Sequence, residues 1–335
     1  MKYANWSLVG AVAVVVLPGC ALAEKDGADR FREAIPHRES VVVPGPEGAE
    51  ARSSTQALGP TSGVQSTGTP SGGPWAKYYG FTREVRDGVN HVTGNVLGLV
   101  WIIVHTDPSQ VDKDQAIWGP YTDALEPATW RFRIREVAPD EFDYFFEGRP
   151  KASTSEGDFV QVISGKGWAK GDPKHGDGFF EIDLDAGRAL DPFHYKDESG
   201  SVKITHDLPP NITDDLAALP KLIRAEIRPS ASDQWFDISS NAHADHTGML
   251  DVEAFADTDD SHATQPEDVQ IQSRWRASGA GRADITLTGG DVPAALGVIT
   301  AVECWGEDFS RSFYSDSVSY QPRVGDAASC AYPDP

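Results

Sequence analysis

Between Trp75 and Val104 apolar residues recur every three or four positions: Val85, Val89, Val92, Val96, Leu99 or Val100, and Ile103. That period predicts an amphipathic helix with Arg83, Glu84, Arg86, Asp87, Asn90 and His91 on its polar side. From Val96 to Val104 the nine residues are apolar all round. Nine are too few to cross a bilayer, so this end is expected to be buried on several sides. Gly88, Gly94 and Gly98 each weaken the helix by about 1 kcal/mol and are read as places where a sheet approaches closely. Asp107 and Pro108 end the element.

Beyond this point the period is two. Trp130, Phe132 and Ile134 alternate with Arg131, Arg133 and Arg135, and Pro139-Asp140 turns the chain into residues 142–148. Further runs fall at 159–164, 179–184, 202–206, 222–228, 234–239, 249–256, 269–276, 283–288 and 298–305. About eleven strands with short Gly, Pro and Asp turns and no interleaved helices predict one antiparallel sheet. The expected class is mainly β: a curved sheet or partly closed barrel of 10–11 strands, covered or plugged by one long N-terminal helix. Val92, Val96, Leu99, Val100 and Ile103 would then form an apolar helix face turned toward a ligand.

Ahead of the helix the composition changes. Residues 24–74 are polar and rich in Gly, Pro, Ser and Thr, as in Gly59-Pro60-Thr61-Ser62-Gly63 and Thr69-Pro70-Ser71-Gly72-Gly73-Pro74. Such text buries too little surface to offset its ordering entropy, so residues 20–74 read as a flexible linker and 75–335 as one domain. A tether of about fifty residues has an r.m.s. reach of roughly 40 Å. Ser40-Val41-Val42-Val43 stands out as an edge strand ended by Pro44.

The first residues carry an address. Lys2 supplies one positive charge, and Leu8 to Leu17 is almost wholly apolar, as in an export signal over residues 1–19. The stretch ends Leu17-Pro18-Gly19-Cys20 and resembles the lipobox of bacterial lipoproteins, with Pro18 departing from the pattern. In that family the Cys thiol receives a diacylglycerol and cleavage makes it the first residue. The resemblance implies a lipidated Cys20 and an outer-membrane lipoprotein, with the membrane as a partner through the lipid. Ala21-Leu22-Ala23 offers the rival reading: cleavage before Glu24 releases a soluble periplasmic or secreted protein.

Charge and cysteines narrow the picture. The formal net charge is −22, which repels phosphate backbones and speaks against nucleic-acid partners. An acidic surface binds divalent cations weakly at most; no cofactor is expected. Of the three cysteines, Cys20 belongs to the lipobox or is lost with the signal, which leaves Cys304 and Cys330 as the intramolecular pair. Closing that loop is expected to contribute roughly 3.5 kcal/mol in the chain-entropy model.

Candidate chemistry is sparse. Asn241-Ala242-His243-Ala244-Asp245-His246 resembles the zinc motif of the metallo-β-lactamase family, with Asn241 in place of the first ligand. The resemblance implies a metal site at His243, Asp245 and His246; the downstream histidine ligands of that family are missing. Asp183-Leu184-Asp185-Ala186-Gly187 and Asp257-Thr258-Asp259-Asp260 look like fragments of calcium loops without the full ligand set. No G-x-S-x-G and no dinucleotide fingerprint is present. Arg274, Arg276 and Arg282 are placed to meet Asp284 across a hairpin closed at Gly279-Ala280-Gly281.

The leading expectation is a binding or carrier domain at the cell envelope, without catalysis, for a hydrophobic ligand, lipidated cargo or an envelope protein. The layout of helix on sheet is similar to the lipoprotein-localisation factors, which implies a cavity of several hundred Å³. The alternatives are a metal-dependent envelope hydrolase at His243, Asp245 and His246, and a structural or adhesive surface module with a packed core and no pocket.

Overall fold

The computed structural model describes residues 27–46, 74–168, 176–196, 198–208, 221–243, 245–258, 265–330 and 332. The signal, Cys20 and most of the expected linker lie outside them. Among the described residues there are four α-helices: α1 (Asp29–Glu33), α2 (Arg38–Val41), α3 (Lys77–Val104) and α4 (Leu184–Leu190). The strands are β1 (Gln110–Val111), β2 (Gln115–Tyr121), β3 (Ala128–Ala138), β4 (Glu141–Pro150), β5 (Val160–Trp168), β6 (Gly176–Asp183) and β7 (Ser201–Leu208). They continue with β8 (Lys221–Arg228), β9 (Trp235–Ala242), β10 (Gly248–Ala256), β11 (Glu267–Trp275), β12 (Gly281–Gly289), β13 (Val298–Trp305) and β14 (Arg311–Asp316).

The fourteen strands make one antiparallel sheet whose strand order is the order in sequence, and the sheet is not closed. A partly closed barrel is therefore corrected to an open sheet, because its terminal strands β1 and β14 do not pair with each other. The outer edge of β14 is capped by the tail: Tyr314 and Val324 exchange backbone hydrogen bonds of 2.9 and 3.0 Å. The single N-terminal helix is corrected too. Two short helices precede α3, and the chain divides into two compact units that share it.

Of the described residues, unit I holds those up to Val42 and those from Val89 to Trp235, and unit II holds those from Val43 to Gly88 and from Phe236 onward. In unit I the alternation read at β3 sends Phe132 and Ile134 into a core with Trp118, Phe142, Phe146, Val162 and the α3 residues Val100, Ile103 and Val104. The arginines of the opposite face meet their cross-strand partners. Arg131 and Arg133 donate to Glu147 at 2.7 and 2.9 Å, and Arg135 donates to Asp143 at 2.8 Å. Opposite charges paired across neighbouring strands in this way also reinforce the register.

Part of the expected linker is folded. Residues 28–36 form a strap across unit I, with Ala28 and Phe31 fully buried in its core. Arg32 donates to the carbonyls of Val104 (2.6 Å) and Thr106 (3.3 Å), and Arg30 pairs with Glu136 at 2.9 Å. Ser40 and Val41 belong to α2 rather than to an edge strand. The reason lies in Phe31, Ile35, Val41 and Val43: these few apolar residues are enough to dock a segment whose average composition is polar.

Unit II is organised around aromatic rings and the buried Glu303. Tyr79 stacks on Phe309 at 4.4 Å and on Trp75 at 5.6 Å, and lies 5.8 Å from Trp305. Glu303, completely buried, accepts from the Tyr78 backbone N–H at 2.5 Å and lies 2.5 Å from Arg311 Nε. A carboxylate in the first turn of a helix suits the positive end of its dipole. Thr82 and Ser273 share a further buried hydrogen bond of 2.7 Å.

Candidate functional site

The interior of unit I contains a cavity of about 50 Å³, lined among others by Ile35, Pro36, Val96, Val100, Phe180 and His206. Residues of β5 and β6, among them Ile163, Gly165 and Phe180, line its other side, and further glycines sit close by on the same strands. A Cβ on Gly178 would come within 2.9 Å of His206 Cε1, and one on Gly167 would collide with the Tyr144 hydroxyl. Its roof is α3 together with the strap. Tyr144 pins that roof by donating to the Ala34 carbonyl at 2.6 Å, and its burial, aided by Asp143, pushes the phenol pKa up.

His206 is the notable group here. It is only 6 % exposed and belongs to the lining of this pocket. Burial drives its pKa down to about 4, against a smaller opposing effect of Asp177, so the ring is neutral at pH 7. A neutral imidazole offers one donor and one acceptor, each of which costs stability while unmet. In the sequence His206 was one polar residue in an ordinary strand; only the fold shows that it faces inward.

The expected apolar helix face is split. Val96 and Val100 line the cavity, while Val92, Leu99 and Ile103 do not; Ile103 is in the main core and Leu99 packs against it. The helix glycines are likewise not points of sheet approach. A Cβ on Gly88 or Gly98 would meet nothing within 4 Å, and one on Gly94 would meet the Arg38 guanidinium at 3.0 Å. Ile35 and Pro36 of the strap help to line this small space.

The zinc-like motif is a hairpin connection. His243, Asp245 and His246 are exposed in the turn between β9 and β10. The Asp245 carboxylate accepts from the Thr247 hydroxyl (2.6 Å) and backbone N–H (3.0 Å), bonds that lower its pKa. Among the described residues no three His, Cys, Asp or Glu side chains are grouped to hold a metal ion. The calcium-like Asp183 instead caps α4, accepting from Ala186 N at 2.8 Å, and Asp185 pairs with Arg188. Asp259 and Asp260 lie outside the described residues.

Two expectations about the C-terminal half are met. Cys304 and Cys330 form a disulfide with Cα atoms 5.4 Å apart. Arg274 and Arg282 both bind the Asp284 carboxylate, Arg282 at 2.6 and 2.9 Å. Arg276 instead lies over the Tyr332 ring at 5.3 Å, and Arg282 reaches the Tyr332 carbonyl at 3.3 Å. The tail is thus held by two arginines as well as by the bridge.

A second feature of unit I lies at the end of its sheet. Leu125, in the β2–β3 loop, is 94 % exposed, and Phe193, between α4 and β7, is 89 % exposed. Both loops are pinned. Lys151 Nζ donates to the carbonyls of Asp123 and Ala124, each at 2.8 Å, and Asp123 accepts from Leu125 N at 3.0 Å. Asp191 accepts from the backbone of Phe193 (3.1 Å) and His194 (3.0 Å). The loops adjoin: burial first, then the carboxylates of Glu198, Asp191 and Glu126, pushes the Tyr195 pKa up to about 12.

Compared with known proteins, the chain matches no family, no curated protein and no solved structure. Among the described residues no helix is long and apolar enough to cross a membrane, which leaves strand-crossing proteins unaddressed.

Proposed function

We propose that the chain is an exported lipoprotein held at the cell envelope through Cys20, whose unit I is a binding domain for another envelope protein. The observation that carries this reading is the pair of adjoining, internally pinned loops that hold Leu125 and Phe193 in solvent. Large apolar side chains on ordered loops gain their burial energy only from a partner, and anchors of this kind dominate protein interfaces.

Photo-crosslinking tests the reading. A benzoylphenylalanine at position 193 or 125 is expected to give a discrete adduct with an envelope protein in cells, and one at Arg224 on β8 none. Equal labelling from all three positions, or none from any, would rule the loop surface out.

A carrier function is the second reading. His206 favours it, being a buried polar group on the pocket lining beside Ile35 and Pro36 of the strap. Native mass spectrometry of gently purified protein tests it: a retained small molecule bearing a hydrogen-bonding group, lost in His206→Phe, is the expected result.

A further inference from the structure

Where the chain enters unit I, the surface changes character. Gly27, the first described residue, sits beside Val111: a Cβ on it would lie 3.5 Å from the Val111 side chain. Five residues on, Arg32 clasps the carbonyls of Val104 and Thr106 at the end of α3. That helix end shows Trp101, 60 % exposed, and the exposed Ile102. Trp101 lies against His105 with ring centroids 4.1 Å apart, and Thr106 shares a 3.0 Å hydrogen bond with the hydroxyl of the exposed Tyr121. Val111 thus borders Gly27, Tyr121 adjoins the end of α3 that Arg32 clasps, and Trp101 and Ile102 are exposed on the last turn of that helix.

Covalent geometry adds the second observation. Cys20 and Gly27 are seven residues apart in sequence. At no more than about 3.6 Å per residue, they are separated by at most roughly 25 Å. The Gly- and Pro-rich text of residues 47–73 follows the strap, so it cannot act as a stalk between an acyl anchor and unit I. An acyl chain at Cys20 holds unit I close to the bilayer. Indole and phenol rings beside aliphatic side chains are the chemistry that settles at a membrane interface. With a net charge of −22 the protein is repelled by anionic headgroups, which selects a zwitterionic surface.

We propose that unit I rests on a zwitterionic bilayer through Trp101, Ile102, Val111 and Tyr121, beside an acylated Cys20; this rests on the lipoprotein reading. The anchor supplies the affinity and the patch sets the orientation, because one or two side chains alone bind a membrane weakly.

The test uses the full lipidated protein on phosphatidylcholine vesicles, with an environment-sensitive dye on Trp101→Cys or, for comparison, on Arg224→Cys in β8. Both positions are exposed, so folding is retained. The expected result is blue-shifted emission at 101, quenched by spin-labelled lipid, and aqueous emission at 224. Aqueous emission at both positions from protein whose Cys20 is acylated by mass spectrometry overturns the proposal and leaves the anchor standing. A mature chain that begins unmodified at Glu24 removes the lipoprotein reading, and the proposal with it.

Discussion

Trp275 lies across Gly248 in the β10–β11 pair, so closely that a Cβ on the glycine would be 2.5 Å from the indole Cζ2. The arrangement recurs on β12, where Trp305 covers Gly281, and in unit I, where Trp130 covers Gly148 with the same 2.5 Å clearance. In each pair the glycine makes room for the ring, and the ring shields the strand backbone from water.

Filling that room is expected to be costly. Gly248→Ala should lower stability by about 1–3 kcal/mol, the usual range for overpacking a core. Gly98→Ala, on α3 with nothing within 4 Å, should raise it by about 1 kcal/mol through helix propensity. Denaturant titration of the two variants beside the parent checks both signs.

His206 makes acid destabilising. Its folded pKa of about 4 lies below the ordinary 6.5, so the unfolded chain takes up a proton first as pH falls. Stability from this group is complete above pH 6.5 and declines as pH falls toward 4, by roughly 3 kcal/mol in all at 1.36 kcal/mol per pKa unit. His206→Phe is expected to flatten that part of the stability–pH curve. An unchanged slope would mean the imidazole is hydrated or paired in solution.

Removing the bridge should cost stability without changing the sheet. For Cys304→Ser with Cys330→Ser the chain-entropy model expects a loss of roughly 3 kcal/mol. Because Arg276 and Arg282 also hold Tyr332, the tail should fray only partly. Limited proteolysis near residue 325, compared with and without reductant, reads this out.

The hairpin at His243 is expected to be indifferent to zinc. Asp245 is already engaged by Thr247, so equimolar zinc should leave the melting temperature of the parent and of His243→Ala alike. A zinc-dependent rise in the parent alone would restore a metal role to the turn.

All eleven strands read from the period-two pattern are present, as β3 to β13, and the alternation of buried and more open positions is clearest in β7, β10 and β11. The misses have local causes. In β2 the cis-linked Gly119-Pro120 interrupts pairing between Trp118 and Tyr121, and a proline inside a run argues against a strand. Asp183 and Asp185 looked like metal ligands because a helix cap and an ion pair draw on the same residue types.

What the sequence by itself determined is local: the strand periods, the long α3 helix, the disulfide by elimination, and an export signal at the N-terminus as an expectation. Those follow from spacing, since a strand or helix writes its period into neighbouring residues. Tertiary structure alone decided that the sheet stays open, that residues 28–36 fold back as a strap, and that His206 lines a pocket. Each of these depends on contacts between residues tens of positions apart, which no local period records.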